Sequence, residues 1–367
     1  MKENNHYRYM KLALSLARKG LGRVSPNPMV GAVLVKGGRI VGKGYHRRAG
    51  FPHAEIEALR ETGAKARGAA LYVTLEPCAH WGKTPPCTDA LIRAGVKEVV
   101  FAMRDPNPLV NGKGVRQLKK AGSKVTGGIM EKEARKLNEV FVHVMTTKLP
   151  FVTVKIAQSL DGKIATRRGE SKWITGESAR QYVRRLRSEA DAILAGITTV
   201  LKDDPALKHS KKIILDPNLK ISTVAKLFTS GPRGSQQIIV TSPARAKTAK
   251  AERLKKAAGC AIWACPLKNG QFRLHLLFQK LVQHSIHHLL VEGGGETIAS
   301  LFEKKLVNKV IWFIAPKVIG GRRAPTSVSG EGIGRLSDAV RLKGVQLKQF
   351  DEDLCIEGEP NYVQRNR

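Results

Sequence analysis

The chain has 367 residues, 42% hydrophobic and 26% charged, which suits a globular protein of about two domains. It has no apolar run of the ~20 residues that span a bilayer, no signal-peptide core after Met1-Lys-Glu-Asn-Asn, and only five scattered cysteines; the expectation is a cytoplasmic protein without membrane contact or a disulfide framework. The net charge of +34 is even along the chain: residues 1–150 carry 27 basic and 11 acidic side chains (+16), the rest 37 and 19 (+18). That distribution reads as a basic surface attractive to small anions, not as a specific nucleic-acid site.

In chain order, Tyr9, Met10, Ala13, Leu14 and Ala17 recur at helical spacing. Strands are predicted over 30–35, 71–75, 99–103 and 124–126, with helices near 54–62, 88–94 and 114–121. This alternation implies an α/β sandwich with a mainly parallel part to its sheet. A boundary is expected near Thr146–Pro150. Beyond it, strands are predicted over 151–156, 192–195, 213–215, 237–241, 288–291, 310–314 and 345–350, with helices near 178–189 and 296–304. Cys260, Cys265 and Cys355 read as interior thiols, and the pairs Lys211-Lys212, Lys304-Lys305 and Arg322-Arg323 as solvated faces.

Two short elements carry the clearest chemistry. His53-Ala-Glu55 begins a helix, and the strand over 71–75 runs into Pro77-Cys78, followed by Cys87. One imidazole and two thiols make a three-ligand zinc set with an open fourth position. Glu55 is then the carboxylate left to move protons, in the pattern of zinc deaminases of bases and nucleosides. The usual Cys-x-x-Cys spacing is replaced by eight intervening residues, Ala79–Pro86. Such an insertion arches over the site and is well placed to meet substrate.

At this point a resemblance becomes specific. Thr74-Leu-Glu-Pro-Cys-Ala-His80 with Gly82-Lys-Thr-Pro-Pro-Cys87, together with Pro26–Val33, Gly44-Tyr-His46, Ala49–Glu55 and Asp105-Pro-Asn-Pro108, resembles the bifunctional deaminase–reductases of riboflavin biosynthesis. The resemblance implies a cytidine-deaminase-like α/β/α sandwich over residues 1–146 and a dihydrofolate-reductase-like α/β domain over 147–367. It implies zinc on His53, Cys78 and Cys87, Glu55 as proton shuttle, and a diaminopyrimidinone bearing a phosphoribosylamino group as substrate. Asn27, His46, Lys83, Asp105 and Asn107 match as substrate contacts, with Lys83 toward the phosphate or ribose end.

In the second half, His288-Leu-Leu-Val-Glu-Gly-Gly-Gly-Glu-Thr297 runs a strand into three glycines and a helix start. That turn lets backbone approach a phosphate, although it is not a Gly-x-Gly-x-x-Gly fingerprint. Lys155, Ser159–Ile164, Glu170–Thr175, Asp203–Leu207 and Ala315–Gly321 extend the resemblance. It implies NADPH on Ala157, Trp173, Thr199, Asp203 and the stretch Gly293, Gly294, Gly295, Glu296, Thr297, Ile298 and Ala299. It implies substrate on Ser171, Arg187, Leu207 and Glu292, with Arg187 toward the phosphate. One departure stands out. The family places an arginine three positions after Leu207, where this chain has Ser210; Lys211 or Lys212 is expected to supply charge without bidentate geometry. The leading reading is a homo-oligomeric enzyme that uses zinc and NADPH. Its alternatives are a deaminase with an impaired reductase-like half, and a nucleic-acid cytidine deaminase.

Overall fold

A computed structural model describes residues 2–81, 85–108 and 110–362. The chain divides into two compact units, Met1–Leu149 and Pro150–Arg367, each built on its own sheet.

The first unit runs α1 (Lys2–Ala17), β1 (Gly31–Lys36), β2 (Arg39–Tyr45), α2 (Ala54–Thr62), β3 (Ala70–Leu75), α3 (Cys87–Arg93), β4 (Glu98–Met103), α4 (Lys113–Lys120), β5 (Lys124–Gly127), α5 (Glu131–Leu137) and α6 (Glu139–Thr147). The sheet order is β2-β1-β3-β4-β5. β1 is antiparallel to both neighbours, and β3, β4 and β5 are parallel. The apolar face of α1, through Met10, Ala13 and Leu14, joins Leu34, Leu71, Val99 and Met103 in one core. Two glycines set the approach of the elements that carry chemistry. A Cβ on Gly44 would lie 2.2 Å from the Ala54 carbonyl, and one on Gly114 would lie 2.0 Å from that of Pro77. Only glycine lets α2 close on β2, and α4 on the Pro77-Cys78 turn.

The second unit begins with β6 (Phe151–Ser159), α7 (Glu177–Glu189), β7 (Ala192–Gly196), α8 (Ile197–Asp203), β8 (Lys211–Leu215), α9 (Lys226–Thr229) and β9 (Gln236–Thr241). It continues through α10 (Pro243–Ala246), α11 (Ala249–Ala258), β10 (Ala261–Ala264), the short β11 (Leu267–Lys268) and β12 (Gln271–Phe272), and α12 (Leu274–Gln283). It ends with β13 (His288–Val291), α13 (Gly295–Glu303), β14 (Lys309–Ala315), β15 (Arg341–Phe350) and β16 (Asp353–Asn361). The nine-stranded order is β10-β9-β8-β7-β13-β6-β14-β16-β15. Pairing is parallel from β10 to β14 and antiparallel across β14, β16 and β15. The parallel strands are buried on both faces, so Ile193, Leu194, Ile213, Ile214, Ile239 and Val240 read as unbroken apolar runs.

The pair Lys211-Lys212 departs from its solvated reading. Lys212 is fully buried. Its Nζ donates to the carbonyl oxygens of Leu227, at 2.6 Å, and Ser230, closing the end of α9. Burial also holds its ammonium pKa below the usual lysine range. Lys212 is therefore spent inside the domain and is not a substitute for the arginine missing at 210. The three second-half cysteines are buried free thiols, as expected.

Candidate active sites

In the first unit, β3 and α2 deliver their ends to one point. His53 sits at the N-cap of α2 with extended backbone and no capping bond from its side chain, which leaves the ring for the site. Its Nδ1 lies 3.2 Å from Cys87 Sγ and 3.6 Å from Cys78 Sγ. The three donor atoms fall within 4.8 Å of one another. Tetrahedral zinc with Zn–S of ~2.3 Å and Zn–N of ~2.0 Å separates its donors by roughly 3.5–3.8 Å, so the set fits that ion with little adjustment. The two sulfurs share a proton: Cys78 is pulled down to about 4, chiefly by the hydrogen bond from the Cys87 thiol, and Cys87 is pushed up in return. The Cys87 backbone N–H also donates to Cys78 Sγ, at 3.4 Å.

Glu55, in the first turn of α2, is buried beside this cluster, and that burial raises its carboxyl above the ordinary range. A pocket of about 310 Å³ opens over the cluster; Asn27, His46, His53, Glu55, Cys78, Asp105 and Asn107 all line it. Lys83 lies outside the described residues. His46 is buried, with its Nδ1 3.1 Å from the Pro52 carbonyl and its Nε2 3.0 Å from Asn27 Nδ2. A carbonyl only accepts, so Nδ1 carries the proton and neutral Nε2 accepts from the Asn27 amide. Burial holds the imidazole pKa below its usual value, consistent with that neutral form. Asn27 thus spends an N–H on His46, which leaves its carbonyl oxygen to meet a ligand donor.

Asp105 accepts from the Asn107 backbone N–H at 2.8 Å. Burial pushes its carboxyl up to about 6, and the neighbouring Glu76 adds to the effect. Glu76 itself was missed at the sequence level. It is buried, lines the pocket, and accepts from the backbone N–H groups of Gly112 and Val115 at 3.0 and 3.3 Å, tying α4 to the strand that delivers Cys78. The available signal was a carboxylate wedged between an apolar strand and Pro77.

In the second unit the expected residues gather at the carboxyl ends of the central strands, where ligands bind in open α/β sheets. Arg187 on α7 donates from Nε and Nη2 to the two carboxylate oxygens of Glu292, at 2.7 and 2.6 Å. This fork is mostly taken, so Nη1 is what Arg187 retains for a phosphate. Lys155 on β6 is half-buried beside this pair, and desolvation lowers its ammonium pKa against the pull of Glu292. The resemblance placed Lys155 without a role, yet a lysine inside Phe151-Val-Thr-Val-Lys-Ile156 was the signal.

Ser171 Oγ donates to Asp203 Oδ1 at 3.4 Å, and a Cβ on Gly294 would lie 3.3 Å from Thr199 Oγ1. Gly294 caps α13 with no side-chain bond, leaving the N–H groups of the first turn available to a phosphate. The glycines also serve the protein itself. A Cβ on Gly295 would lie 2.3 Å from Ser329 Oγ, and one on Gly293 would lie 3.0 Å from Thr297 Cβ. Trp173 is 64% exposed beneath the Arg180 guanidinium, so it is not a core residue. Leu207, Ile298 and Ala299 bury their side chains. Their means of meeting a ligand is therefore mainly backbone.

Comparison with known proteins agrees with both halves. Residues 3–103 match the cytidine and deoxycytidylate deaminase zinc-binding region, and residues 150–356 match the RibD C-terminal domain. The riboflavin biosynthesis protein RibD of Aquifex aeolicus is 46% identical over 356 residues, covering 95% of this chain and 96% of that one. The Escherichia coli protein of that name is 39% identical, covering 95% and 97%. The solved RibD of Acinetobacter baumannii superposes with a TM-score of 0.87 at 37% identity, covering 98% and 99%. A Thermotoga maritima protein described as a diaminohydroxyphosphoribosylaminopyrimidine deaminase/5-amino-6-(5-phosphoribosylamino)uracil reductase gives 0.86 at 36%, covering 98% and 100%.

Fold and sites together define a two-domain enzyme, a zinc-dependent deaminase joined to an NADPH-dependent reductase. The chain belongs to the RibD family, the bifunctional deaminase–reductases of riboflavin biosynthesis. Among the described residues, no helix is long and apolar enough to cross a membrane.

Proposed function

We propose that this chain deaminates 2,5-diamino-6-(5-phosphoribosylamino)pyrimidin-4-one in residues 1–146 and reduces the ribosyl group of the product in residues 147–367. The observation that carries the reading is the convergence of His53, Cys78 and Cys87 within 4.8 Å beneath a pocket that Glu55 also lines. His53, Cys78 and Cys87 hold zinc, which when bound supplies the Lewis acidity that brings hydroxide within reach of neutral pH. Glu55 takes the proton of the attacking water and delivers it to the ring nitrogen and then to the leaving amine. Its raised carboxyl pKa suits a group that must hold and release a proton. Asn27, fixed by neutral His46, offers its carbonyl oxygen to a pyrimidine N–H. Asp105, Asn107 and Lys83 complete the grip on ring and tail. Water enters and ammonia leaves, so the amine-bearing carbon becomes a carbonyl.

In the second half, the N-terminal turn of α13, Thr199, Asp203, Ala157 and Trp173 bind NADPH, which when bound supplies the hydride. Ser171, Arg187, Leu207 and Glu292 hold the substrate. Hydride arrives at ribose C1′ and a proton at the ring oxygen, which opens the sugar to a ribityl chain. The ion pair between Arg187 and Glu292 keeps both groups charged and oriented in a half-buried site. Cytoplasmic residence and a homo-oligomeric state complete the proposal.

Glu55→Gln tests the first half. The variant should keep one zinc per chain and lose deamination by about 10²–10⁴-fold, the usual worth of a positioned acid–base group. Normal ammonia release from a zinc-loaded variant would sink the role given to Glu55.

A further inference from the structure

Of the stretches Ser159–Ile164, Glu170–Thr175 and Ala315–Gly321, the reaction uses only Ser171 and Trp173. The fold brings all three stretches to one place. β6 and β14 are parallel neighbours with Ala315 in register with Ser159. The chain therefore leaves both strands side by side at their carboxyl ends, the end where open α/β sheets bind ligands. There the Leu160 N–H donates to the Lys317 carbonyl at 2.8 Å. Asp161 accepts from the backbone N–H groups of Ile319 and Gly320 at 3.0 and 2.7 Å, and from the Ser159 hydroxyl at 2.6 Å. These donors, the Ser159 hydroxyl foremost, hold the Asp161 carboxyl down to about 2, so the turn after β14 stays anchored to the end of β6 through neutral pH.

That turn carries Lys317, whose ammonium reaches the third stretch. Lys317 Nζ donates to the carbonyl of Trp173 at 3.1 Å and to that of Ile174 at 2.8 Å. The next two residues are tied in the same manner. Arg180 Nη1 donates to the Thr175 carbonyl at 2.8 Å, and the Gly176 N–H donates to Asp353 Oδ2 at 2.7 Å. Four successive residues between β6 and α7 are thus gripped by side chains from β16, α7 and the turn after β14. The indole they carry is exposed, with the Arg180 guanidinium 4.6 Å from its ring centroid. One face of the ring is covered by a cation and the other is open.

Ordering an exposed lysine side chain costs rotamer freedom, and the hydrogen bonds it makes largely replace bonds to water. The gain lies in placement. We propose that Lys317 is a positioning residue of the reductase: it fixes the backbone of Trp173 so that the open indole face meets NADPH, and Asp161 holds Lys317 within reach. The proposal rests on the NADPH contact given to Trp173 above and adds what orients it. A ring already held in its bound pose binds without the cost of ordering its segment. Loss of Lys317 should therefore weaken cofactor binding and leave the chemical step alone.

Steady-state NADPH oxidation by the full zinc-loaded chain, with the deaminated product as substrate, tests this. Lys317→Met should raise the KM for NADPH by about three- to ten-fold with kcat within about two-fold of wild type. Lys317→Arg keeps a donor and should hold that KM within about two-fold of wild type. Lys317 is exposed and lies in the second unit, so the melting temperature and ammonia release should not change in either variant. In a Trp173→Ala background, Lys317→Met should add less than about two-fold, because the ring it orients is gone. An unchanged KM in Lys317→Met, while Trp173→Ala raises it, overturns the role of Lys317 alone. Effects that multiply in full in the double variant overturn it too, as does a loss confined to kcat or a lowered melting temperature. An unchanged KM in both single variants overturns the NADPH contact of Trp173 as well.

Discussion

The two candidate active sites are built in opposite ways. In the first unit, chemistry is concentrated: three donors, at the start of α2, after β3 and at the start of α3, meet within 4.8 Å, with buried carboxylates around them. In the second it is spread along strand ends, through an uncapped helix start, an exposed tryptophan and one locked ion pair. The difference follows from the ligand. Zinc needs its donors at bonding distance, so a few residues in a fixed order decide the site. A dinucleotide and a sugar phosphate need a surface of backbone N–H groups and modest contacts, which many sequences can supply.

The contrast can be broken in several places. Cys87→Ala should have the largest effect. Zinc content measured on the purified variant should fall well below one per chain and deamination should vanish, while NADPH oxidation with the deaminated product continues. Loss of both activities together would show that the halves are not independent.

Glu292→Gln comes next. It leaves the Arg187 guanidinium mostly buried without its carboxylate, and breaking such a pair costs on the order of 3 kcal/mol. Chemical denaturation should detect the loss in the second unit, and reduction should fall with deamination unchanged. The exposed pair of Lys255 and Glu252 is the control; Glu252→Gln should shift stability by less than ~0.5 kcal/mol.

Asp105→Asn should separate stability from activity. The Asp105 carboxyl rises to about 6 on folding from an ordinary value near 3.8, so the folded state binds the extra proton between those values. Its linked stability is present below about pH 4 and is lost as pH rises through about 6. At pH 7.5 the asparagine should therefore stabilise metal-free protein, by on the order of 2–3 kcal/mol, while lowering deamination. A lower melting temperature for the variant would contradict this. Smallest of the functional effects, Trp173→Ala should raise the KM for NADPH a few-fold and barely move the melting temperature, because the side chain is already in solvent.

Sequence reading grouped His53, Cys78 and Cys87, which the fold brings within 4.8 Å of one another, with Glu55 lining the pocket above them, because these residues are close in sequence and strict in type. It missed β2, whose Arg-Ile-Val-Gly-Lys-Gly-Tyr carries glycines that exist for the approach of α2. It missed β16 because Asp353, Glu357, Gly358 and Pro360 read as a loop. In the fold Glu357 is buried, and its charge is met by Lys348 and Tyr182, partners distant enough in sequence to be invisible locally. Lys212 misled for the same reason. Its partners are backbone carbonyls fifteen and more residues away. In the second site, the closure of Arg187 on Glu292 depends on elements 105 residues apart.

The most direct test couples both steps in one cuvette. Purified zinc-loaded chain receives the diaminopyrimidinone and NADPH while ammonia and NADPH are followed together. One ammonia should appear and one NADPH disappear per substrate, with ammonia leading. Glu55→Gln should show neither until the deaminated product is added, and then oxidise NADPH at the wild-type rate. NADPH oxidation without ammonia release, or no oxidation by either protein even with the deaminated product, would contradict the account.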